Sequence, residues 1–292
     1  MTHRSGFVNI MGNPNVGKST IMNALVGEKL SIITPKAQTT RHRIMGIVNG
    51  EDFQIVYSDT PGLLKPKYKL QEAMMSFIDT ALSDADLILY VTDVTEKPGD
   101  EWEYLNRIKK LAIPLIVAVN KIDLSNQNDL EYIVESWKKL LPLSRVVPVS
   151  AINNFNLNTL LNLIVSRLPE GAPYFPKDQL TDKYERFFAS EIIREKILLN
   201  YQQEIPYSVE IETESFNKAD NLLNIRALIH VSRTSQKGII IGHRGAKLKK
   251  VGTEARKDLE EFFKCKVFLE LFVKVTKDWR DKPQILKRFG YR

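Results

Sequence analysis

The stretch FVNIMGNPNVGKST, residues 7–20, decides the fold of the first half of this chain. A strand-like run (7–11) leads into GNPNVGKS (12–19), which matches the pattern G-x-x-x-x-G-K-[S/T], and a helical segment follows. The two glycines allow backbone N–H groups to turn toward phosphate oxygens, and the helix behind them adds its positive N-terminal end. The stretch therefore predicts a phosphate-binding loop between a strand and a helix.

Apolar runs rich in Val and Ile recur beyond this loop, with amphipathic segments between them. The runs are 53–58, 87–92, 114–119 and 146–149. The amphipathic segments are 99–111, 128–140 and 158–168. This alternation predicts an α/β domain with a mostly parallel sheet that is covered on both faces.

The loop and its neighbours predict which residues hold a nucleotide. We expect Lys18 to neutralise the β- and γ-phosphates and Ser19 to ligate Mg²⁺. The complete predicted phosphate loop is Gly12, Asn13, Pro14, Asn15, Val16, Gly17, Lys18, Ser19 and Thr20.

The segment NKID (120–123) follows the run 114–119 and predicts which base is bound. The carboxylate of Asp123 can accept hydrogen bonds from N1–H and the 2-amino group of guanine, whereas adenine offers a lone pair there. Asn120 and Lys121 would support the base and the phosphate loop, and Ser150-Ala151 would offer a backbone N–H to the guanine carbonyl. These motifs, each beside a strand, indicate GTP rather than ATP.

Two further segments lie between the phosphate loop and NKID. In DTPG (59–62), we expect Asp59 to reach Mg²⁺ through a water and the Gly62 amide to contact the γ-phosphate. In KAQTTRHR (36–43), we expect Thr40, in preference to Thr39, to close over Mg²⁺ when GTP is present. The alternative for the paired threonines is an exposed polar loop.

The second half of the chain changes character. A segment with three prolines and a glycine (168–183) predicts a linker, 184–201 and 246–263 have helical spacing, and 207–216, 223–233 and 266–275 resemble strands. Residues 236–292 contain 16 basic and 7 acidic side chains. This charge predicts a polyanion-binding end, either for nucleic acid or for an acidic membrane surface.

Within that half, GIIIGHRGAKLKK (238–250) places a strand-like isoleucine run before a glycine-framed loop and a basic helix. The form G-x-x-G is that of the KH-domain loop, which clamps the backbone of about four single-stranded nucleotides. The predicted RNA-binding residues are Gly242, His243, Arg244, Gly245, Lys247, Lys249 and Lys250.

Taken together, the motifs resemble those of the Era GTPase family over nearly the whole chain. The resemblance rests on NPNVGKST, SIITPKAQTTRHRI, DTPG, NKID and GIIIGHRGAKLKKVGTEARKDLE. It implies an α/β P-loop GTPase domain (1–169), a linker (170–183), an α+β type II KH domain (184–280) and a basic tail (281–292). It also implies a monomeric, cytoplasmic GTPase that uses Mg²⁺, binds small-subunit ribosomal RNA near its 3′ end, assists maturation of the small ribosomal subunit and associates with the inner face of the cell membrane.

Turnover is less well specified by the sequence. Leu63 stands where many GTPases have a glutamine that orients water, and we interpret Arg41 and Arg43 as solvated switch residues, so we expect slow hydrolysis. We expect the catalytic residues to be Lys18, Thr40 and Asn15. Asn15 matches the asparagine with which related GTPases hold K⁺ against the phosphates. The alternative is that Asn15 only shapes the loop.

Two other functions remain open at this point. One is a membrane-surface GTPase whose basic end binds anionic lipid or a protein partner. The other is a nucleotide-gated binding module with negligible turnover. Cys265 is the only cysteine, which excludes an internal disulfide, and no apolar run reaches the ~18 residues of a membrane span.

Overall fold

The computed structural model describes residues 2–96 and 103–291, and it divides into two compact units. The first unit comprises Met1–Ser31, Thr40–Lys65 and Met74–Asp182. The second comprises Ile32–Thr39, Pro66–Ala73 and Lys183–Arg292. Two short segments of the N-terminal half therefore group with the C-terminal residues.

A six-stranded sheet forms the centre of the first unit, in the order β2-β3-β1-β4-β5-β6. Its strands are β1 (Arg4–Met11), β2 (Ile44–Asn49), β3 (Phe53–Asp59), β4 (Leu87–Asp93), β5 (Leu115–Asn120) and β6 (Arg145–Pro148). The helices of this half are α1 (Lys18–Val26), α2 (Lys69–Ser83), α3 (Glu103–Lys110), α4 (Gln127–Leu140) and α5 (Leu157–Arg167). All residues of β4 are buried, as expected of a central strand covered on both faces.

The five predicted strands are present, and their pairings are parallel. The edge strand β2 was not predicted, and it pairs antiparallel with β3. Helices α4 and α5 match the predicted segments to within a residue. Of the predicted helix 99–111, the described part begins at Glu103, and residues 99–102 lie outside the described ranges.

A three-stranded sheet forms the second unit, with β7-β8 antiparallel and β8-β9 parallel. Its strands are β7 (Val209–Ala219), β8 (Leu222–Val231) and β9 (Lys266–Val275). Its helices are α6 (Glu185–Asn200), α7 (Ile205–Ser208), α8 (Thr234–Ile241), α9 (Ala246–Phe263) and α10 (Pro283–Arg288). The order α6-β7-β8-α8-α9-β9 is that of a type II KH fold, and α6 and α9 pack on one face of the sheet.

The isoleucine run 239–241 corrects the strand-like prediction, because it forms the last turn of α8. Ile240 is fully buried whereas Ile239 is 41 % exposed, so a helix buries one side of the run. The side chain of Gln236 accepts hydrogen bonds from the backbone N–H groups of Ser232 and Arg233, which fixes the helix start. Packing and capping thus outweigh the strand preference of β-branched residues.

Residues 281–291, expected to be a basic tail, pack against the second sheet. Tyr291 is buried and donates to Glu210 (2.7 Å), and Arg288 makes a two-pronged ion pair with Glu212. The indole of Trp279 donates to the carbonyl of Ser208 at 3.0 Å. None of the helices in the described ranges has the length and apolar character needed to span a bilayer.

Candidate nucleotide site and RNA interface

The two glycines that frame the phosphate loop lie where no other residue fits. Gly12 has φ of 144°, and a Cβ atom there would lie 2.0 Å from the carbonyl oxygen of Val91 on β4. Gly17 has φ of 96°, and its Cβ would lie 2.2 Å from Nδ2 of Asn120. The loop is therefore pressed against the ends of β4 and β5, and its shape depends on both glycines.

Lys18 lies beneath the loop rather than in solvent. It is 6 % exposed, and its Nζ donates to the carbonyl oxygens of Gly12 (3.0 Å) and Asn13 (2.7 Å). Burial lowers the pKa of Lys18 to about 8, against the opposing effect of the Asp59 and Glu96 carboxylates. The ammonium group is thus held where phosphate oxygens would lie, with a pKa close to working pH.

This pKa predicts a pH-dependent affinity for nucleotide. A bound phosphate keeps Lys18 protonated, so above pH 8 binding must take up a proton, and the dissociation constant for GDP should rise by about tenfold per pH unit. Below pH 8 it should be nearly constant. Titration of a fluorescent GDP analogue across this range measures the effect. Lys18→Arg is the control, because a guanidinium stays charged over this pH range. An equal rise of the dissociation constant in that variant would assign the effect to the guanine base of the nucleotide instead of to Lys18.

The three predicted metal-site side chains converge. The Ser19 hydroxyl lies 2.9 Å from that of Thr40 and donates to Oδ2 of Asp59 at 2.6 Å, and Thr40 donates to the same oxygen at 3.2 Å. Oδ1 of the fully buried Asp59 has no hydrogen-bond partner among the described residues. Burial raises the pKa of Asp59, and Ser19 and Lys18 oppose that shift. An all-oxygen set with an unsatisfied carboxylate oxygen fits Mg²⁺.

Thr39 and Thr40 have different surroundings. The Thr39 hydroxyl bonds within its own segment, to Thr34 (2.6 Å) and to the Lys36 carbonyl (2.6 Å). Thr40 is 7 % exposed and directs its hydroxyl to Asp59. The geometry agrees with the choice of Thr40 as the candidate ligand, and the picture of two exposed loop threonines does not apply to this structure.

DTPG lies directly against the phosphate loop. A Cβ atom on Gly62 would be 2.8 Å from the Cα of Pro14, and the N–H of Leu63 donates to the Gly12 carbonyl at 3.2 Å. The aliphatic Leu63 side chain can donate no hydrogen bond to a water. Asn15 has φ of 67°, a left-handed conformation that asparagine tolerates.

The predicted base-site residues form one hydrogen-bonded cluster. Ser150 donates to Oδ1 of Asp123 at 2.5 Å, and Asn120 donates to the Val16 carbonyl at 2.9 Å. Asn120 also accepts from the N–H of Ala151 at 3.1 Å. A backbone N–H of Ser150-Ala151 was expected to face the guanine carbonyl. In this structure the N–H of Ala151 is bonded to Asn120, and that of Ser150 to the Phe155 carbonyl at 3.2 Å. Asn120 thereby joins the phosphate loop to the segment after β6.

Asp93 is a residue of this site that the sequence reading missed. It ends β4 beside Asn120, which ends β5, and its Oδ2 lies 2.5 Å from Nζ of Lys121. Burial alone would raise the pKa of Asp93, but hydrogen bonds from Lys121 and Thr95 lower it. The carboxylate thus stays ionised and fixes the NKID lysine. The sequence did offer a signal for Asp93, because it is a polar residue directly after the buried run 87–92, at the carboxyl end of a predicted parallel strand.

The two switch arginines are buried, which corrects their interpretation as solvated. Arg43 is 8 % exposed, pairs with Asp84 (2.6 Å and 3.0 Å) and donates to Ser58 (2.5 Å). Arg41 is 1 % exposed. Arg43 is therefore held by its ion pair with Asp84, just after α2, and by its hydrogen bond to Ser58 on β3.

The glycine-framed loop joins α8 to α9. Gly242 has φ of 71° and Gly245 has φ of 78°, and no described heavy atom lies within 4 Å of a Cβ built on Gly245. The space above Gly245 is therefore open to a phosphate group. The predicted basic side chains around it are exposed: His243, Arg244, Lys247, Lys249 and Lys250.

A groove of about 400 Å³ continues from this loop between α9 and β9. Its lining residues are Gly245, Leu248, Lys249, Gly252, Thr253, Arg256, Leu269 and Leu271. Leucine side chains and a glycine without a side chain give it an apolar surface, and Lys249 and Arg256 add positive charge. The sequence reading missed Gly252 and Arg256, for which the only signal was a glycine inside an amphipathic helix.

Comparisons with known proteins match both units. A family model described as 50S ribosome-binding GTPase matches residues 7–121, and one described as KH domain matches 204–280. GTPase Era of Alkaliphilus metalliredigens is 45 % identical, with all of both chains covered. GTPase Era of Staphylococcus haemolyticus is 43 % identical over 99 % of this chain and 97 % of that protein.

Two solved structures are similar over 99 % of both chains with a TM-score of 0.94. One, 41 % identical, is Era in complex with MgGDPNP and nucleotides 1506–1542 of 16S ribosomal RNA. The other, 42 % identical, is a point variant of Aquifex aeolicus Era bound to GDP and AlF₄⁻. The first family model's description names the large ribosomal subunit, whereas this RNA belongs to the small one.

Proposed function

The chain belongs to the Era GTPase family, and on that premise we propose that it is a GTP-driven switch that binds the 3′ end of small-subunit ribosomal RNA and assists maturation of the small subunit. It binds GTP and hydrolyses it to GDP and phosphate. The observation that carries the proposal is that one chain holds both hydrogen-bonded clusters of candidate guanine-nucleotide residues and an open glycine loop leading into an apolar groove.

The residues of the first unit have separable roles in hydrolysis. Lys18 would meet the β- and γ-phosphates, and Ser19, Thr40 and, through water, Asp59 would hold Mg²⁺, which would supply positive charge at the phosphates when bound. Asp123, oriented by Ser150, selects guanine. Because Leu63 orients no water, the intrinsic rate is slow, which suits a switch that a partner turns off.

Asn15 is part of the proposal as a ligand of K⁺ against the phosphates. Replacing K⁺ by Na⁺ at constant ionic strength should slow GTP hydrolysis by about tenfold or more, since a fixed positive charge at the transition state is lost. GTP affinity should hardly change. Measured turnover in Asn15→Ala should be slow in both salts. Equal turnover of the wild-type protein in K⁺ and Na⁺ would mean that Asn15 only shapes the phosphate loop through its left-handed backbone conformation.

The second unit supplies the RNA site. Left-handed glycines let a phosphate approach the main chain, and the groove beside them offers an apolar surface for bases. An anionic lipid surface needs the lysines but neither feature. RNA is therefore the ligand that uses the whole arrangement.

Titration of the wild-type protein with a short single-stranded RNA, and separately with phosphatidylglycerol vesicles, tests the proposal. With GTP and with GDP in turn, we expect RNA binding to exceed vesicle binding, and RNA affinity to depend on the nucleotide. Tight vesicle binding with no detectable RNA binding would support the membrane-surface alternative. Absence of any GTP turnover, with or without RNA, would favour the nucleotide-gated module.

A further inference from the structure

Three contacts tie the segment Ile32–Thr39 to helix α6 within the second unit. The N–H of Ile33 donates to Glu195 at 3.2 Å, Lys36 donates to the Tyr201 carbonyl, and Arg194 donates to the Thr39 carbonyl at 2.5 Å. Each contact uses a polar group of the helix or of Tyr201, the residue that directly follows it. The segment just before the candidate metal ligand Thr40 is thus held by residues about 160 positions later in the chain.

Arg194 is the unusual member of this set. It is 1 % exposed, and its guanidinium is clamped by Glu191 one turn earlier, with contacts of 2.7 Å and 2.5 Å. Nη1 finds no hydrogen-bond partner among the described residues. Burying a charge with an unsatisfied N–H is costly, and apolar side chains of similar volume often serve a core equally well. Among the residues that the structure describes, the one group outside α6 to which Arg194 donates is the Thr39 carbonyl.

The Thr39 carbonyl belongs to the peptide group that joins Thr39 to the candidate metal ligand Thr40. The peptide group is planar, so fixing the carbonyl oxygen of Thr39 also fixes the amide nitrogen of Thr40 and the direction of its N–Cα bond. The Thr40 hydroxyl must then meet Ser19 and Asp59 at 2.9 Å and 3.2 Å. A shift of the Thr39 carbonyl would move the hydroxyl off the metal position.

We propose that Arg194 is a positioning residue for GTP hydrolysis, which acts by holding the Thr39 carbonyl so that Thr40 reaches Mg²⁺. The inference deepens the proposed GTPase function and rests on it. It makes hydrolysis depend on a side chain of the C-terminal unit that touches neither nucleotide nor metal. Glu191 shares the task by fixing the guanidinium.

The test is single-turnover hydrolysis at saturating GTP as a function of Mg²⁺ concentration. In Arg194→Met we expect the rate constant to fall by about tenfold or more and the half-saturating Mg²⁺ concentration to rise by about tenfold, as for other partners of metal ligands. GDP affinity should stay unchanged, because Thr40 engages the metal only with GTP. Arg194→Lys keeps one donor and should recover part of the rate.

Two variants keep the result interpretable. Arg288→Met also removes a two-pronged arginine–glutamate pair from the second unit, but the partner of Arg288 is Glu212 and not a residue of the segment 32–39. This variant should hydrolyse GTP like wild type. If Arg194→Met melts early because Glu191 is left unpaired, Glu191→Gln with Arg194→Met removes that charge and repeats the measurement. Wild-type rates and Mg²⁺ dependence in either folded variant would overturn the inference. A wild-type protein without turnover would instead overturn the proposed function.

Discussion

Asp123→Asn should weaken GTP binding by about 10²- to 10⁴-fold, since we expect the carboxylate to accept two charge-assisted hydrogen bonds from guanine, each worth about 1.5–3 kcal/mol. The same change should improve binding of XTP, whose 2-oxo group accepts a hydrogen bond where the guanine amine donates one. Direct titration with GTP, XTP and ATP measures both effects. Wild-type protein that binds ATP as tightly as GTP would refute the base assignment.

The structure adds a control that the motif alone does not offer. Ser150 donates to Oδ1 of Asp123, so in Asp123→Asn it should hold the amide oxygen on its own side and turn the amide nitrogen toward the base. Adding Ser150→Ala removes this orientation. The double variant should lose much of the gain in XTP affinity while GTP binding stays weak. If it binds XTP as well as the single variant does, Ser150 has no orienting role.

Gly252→Leu should reduce affinity for single-stranded RNA by about 10- to 100-fold, because a side chain in the groove displaces a base whose stacking is worth about 1–3 kcal/mol. Gly252 lies on α9 opposite β9, and a Cβ there would already lie 3.4 Å from Cδ1 of Leu271. GTP binding by the first unit should be unchanged. Fluorescence anisotropy with a labelled RNA measures the loss, and wild-type RNA affinity in this variant would remove the groove from the RNA site.

Gly252→Ala separates blocked binding from misfolding. An alanine in the middle of a helix is more stable than glycine by about 1 kcal/mol, and its Cβ meets Leu271 at an ordinary contact distance. The variant should unfold at a higher temperature yet bind RNA somewhat more weakly. Substitutions at Gly242 and Gly245 lack this advantage, because φ values of 71° and 78° strain any other residue.

A salt titration distinguishes the groove from the lysines. Gly252→Leu leaves the phosphate contacts in place, so the slope of log affinity against log salt should match that of wild type. Lys247, Lys249 and Lys250 changed together to Gln should lower that slope by roughly 0.7 per lost contact on a single strand. Equal slopes in wild type and the lysine variant would mean that these lysines do not meet phosphate.

The sequence by itself determined the parts of this protein whose chemistry is local. The glycines, lysine and serine by which GNPNVGKS was predicted to bind phosphate all lie within that segment. It joins β1 to α1 as predicted. Helix α9 and strand β9 begin and end at the predicted residues, since a long periodic pattern fixes its own secondary structure. Membership of the Era family, inferred from the motifs and their order, is confirmed by full-length relatives.

Only the tertiary structure decided features that depend on partners far along the chain. The run 239–241 is helical because a helix buries Ile240 fully and leaves Ile239 at the surface. Arg43 can be buried because it pairs with Asp84, 41 residues later, and the N–H of Ala151 is bonded to Asn120. Arg194 donates to the carbonyl of Thr39, which lies 155 residues earlier in the chain. Gly252 lines a groove because Leu271 on β9 lies opposite it. Residue type limits which bonds a side chain can make, but folding selects the partner, since a buried polar group must take whichever acceptor or donor the packed chain brings within reach.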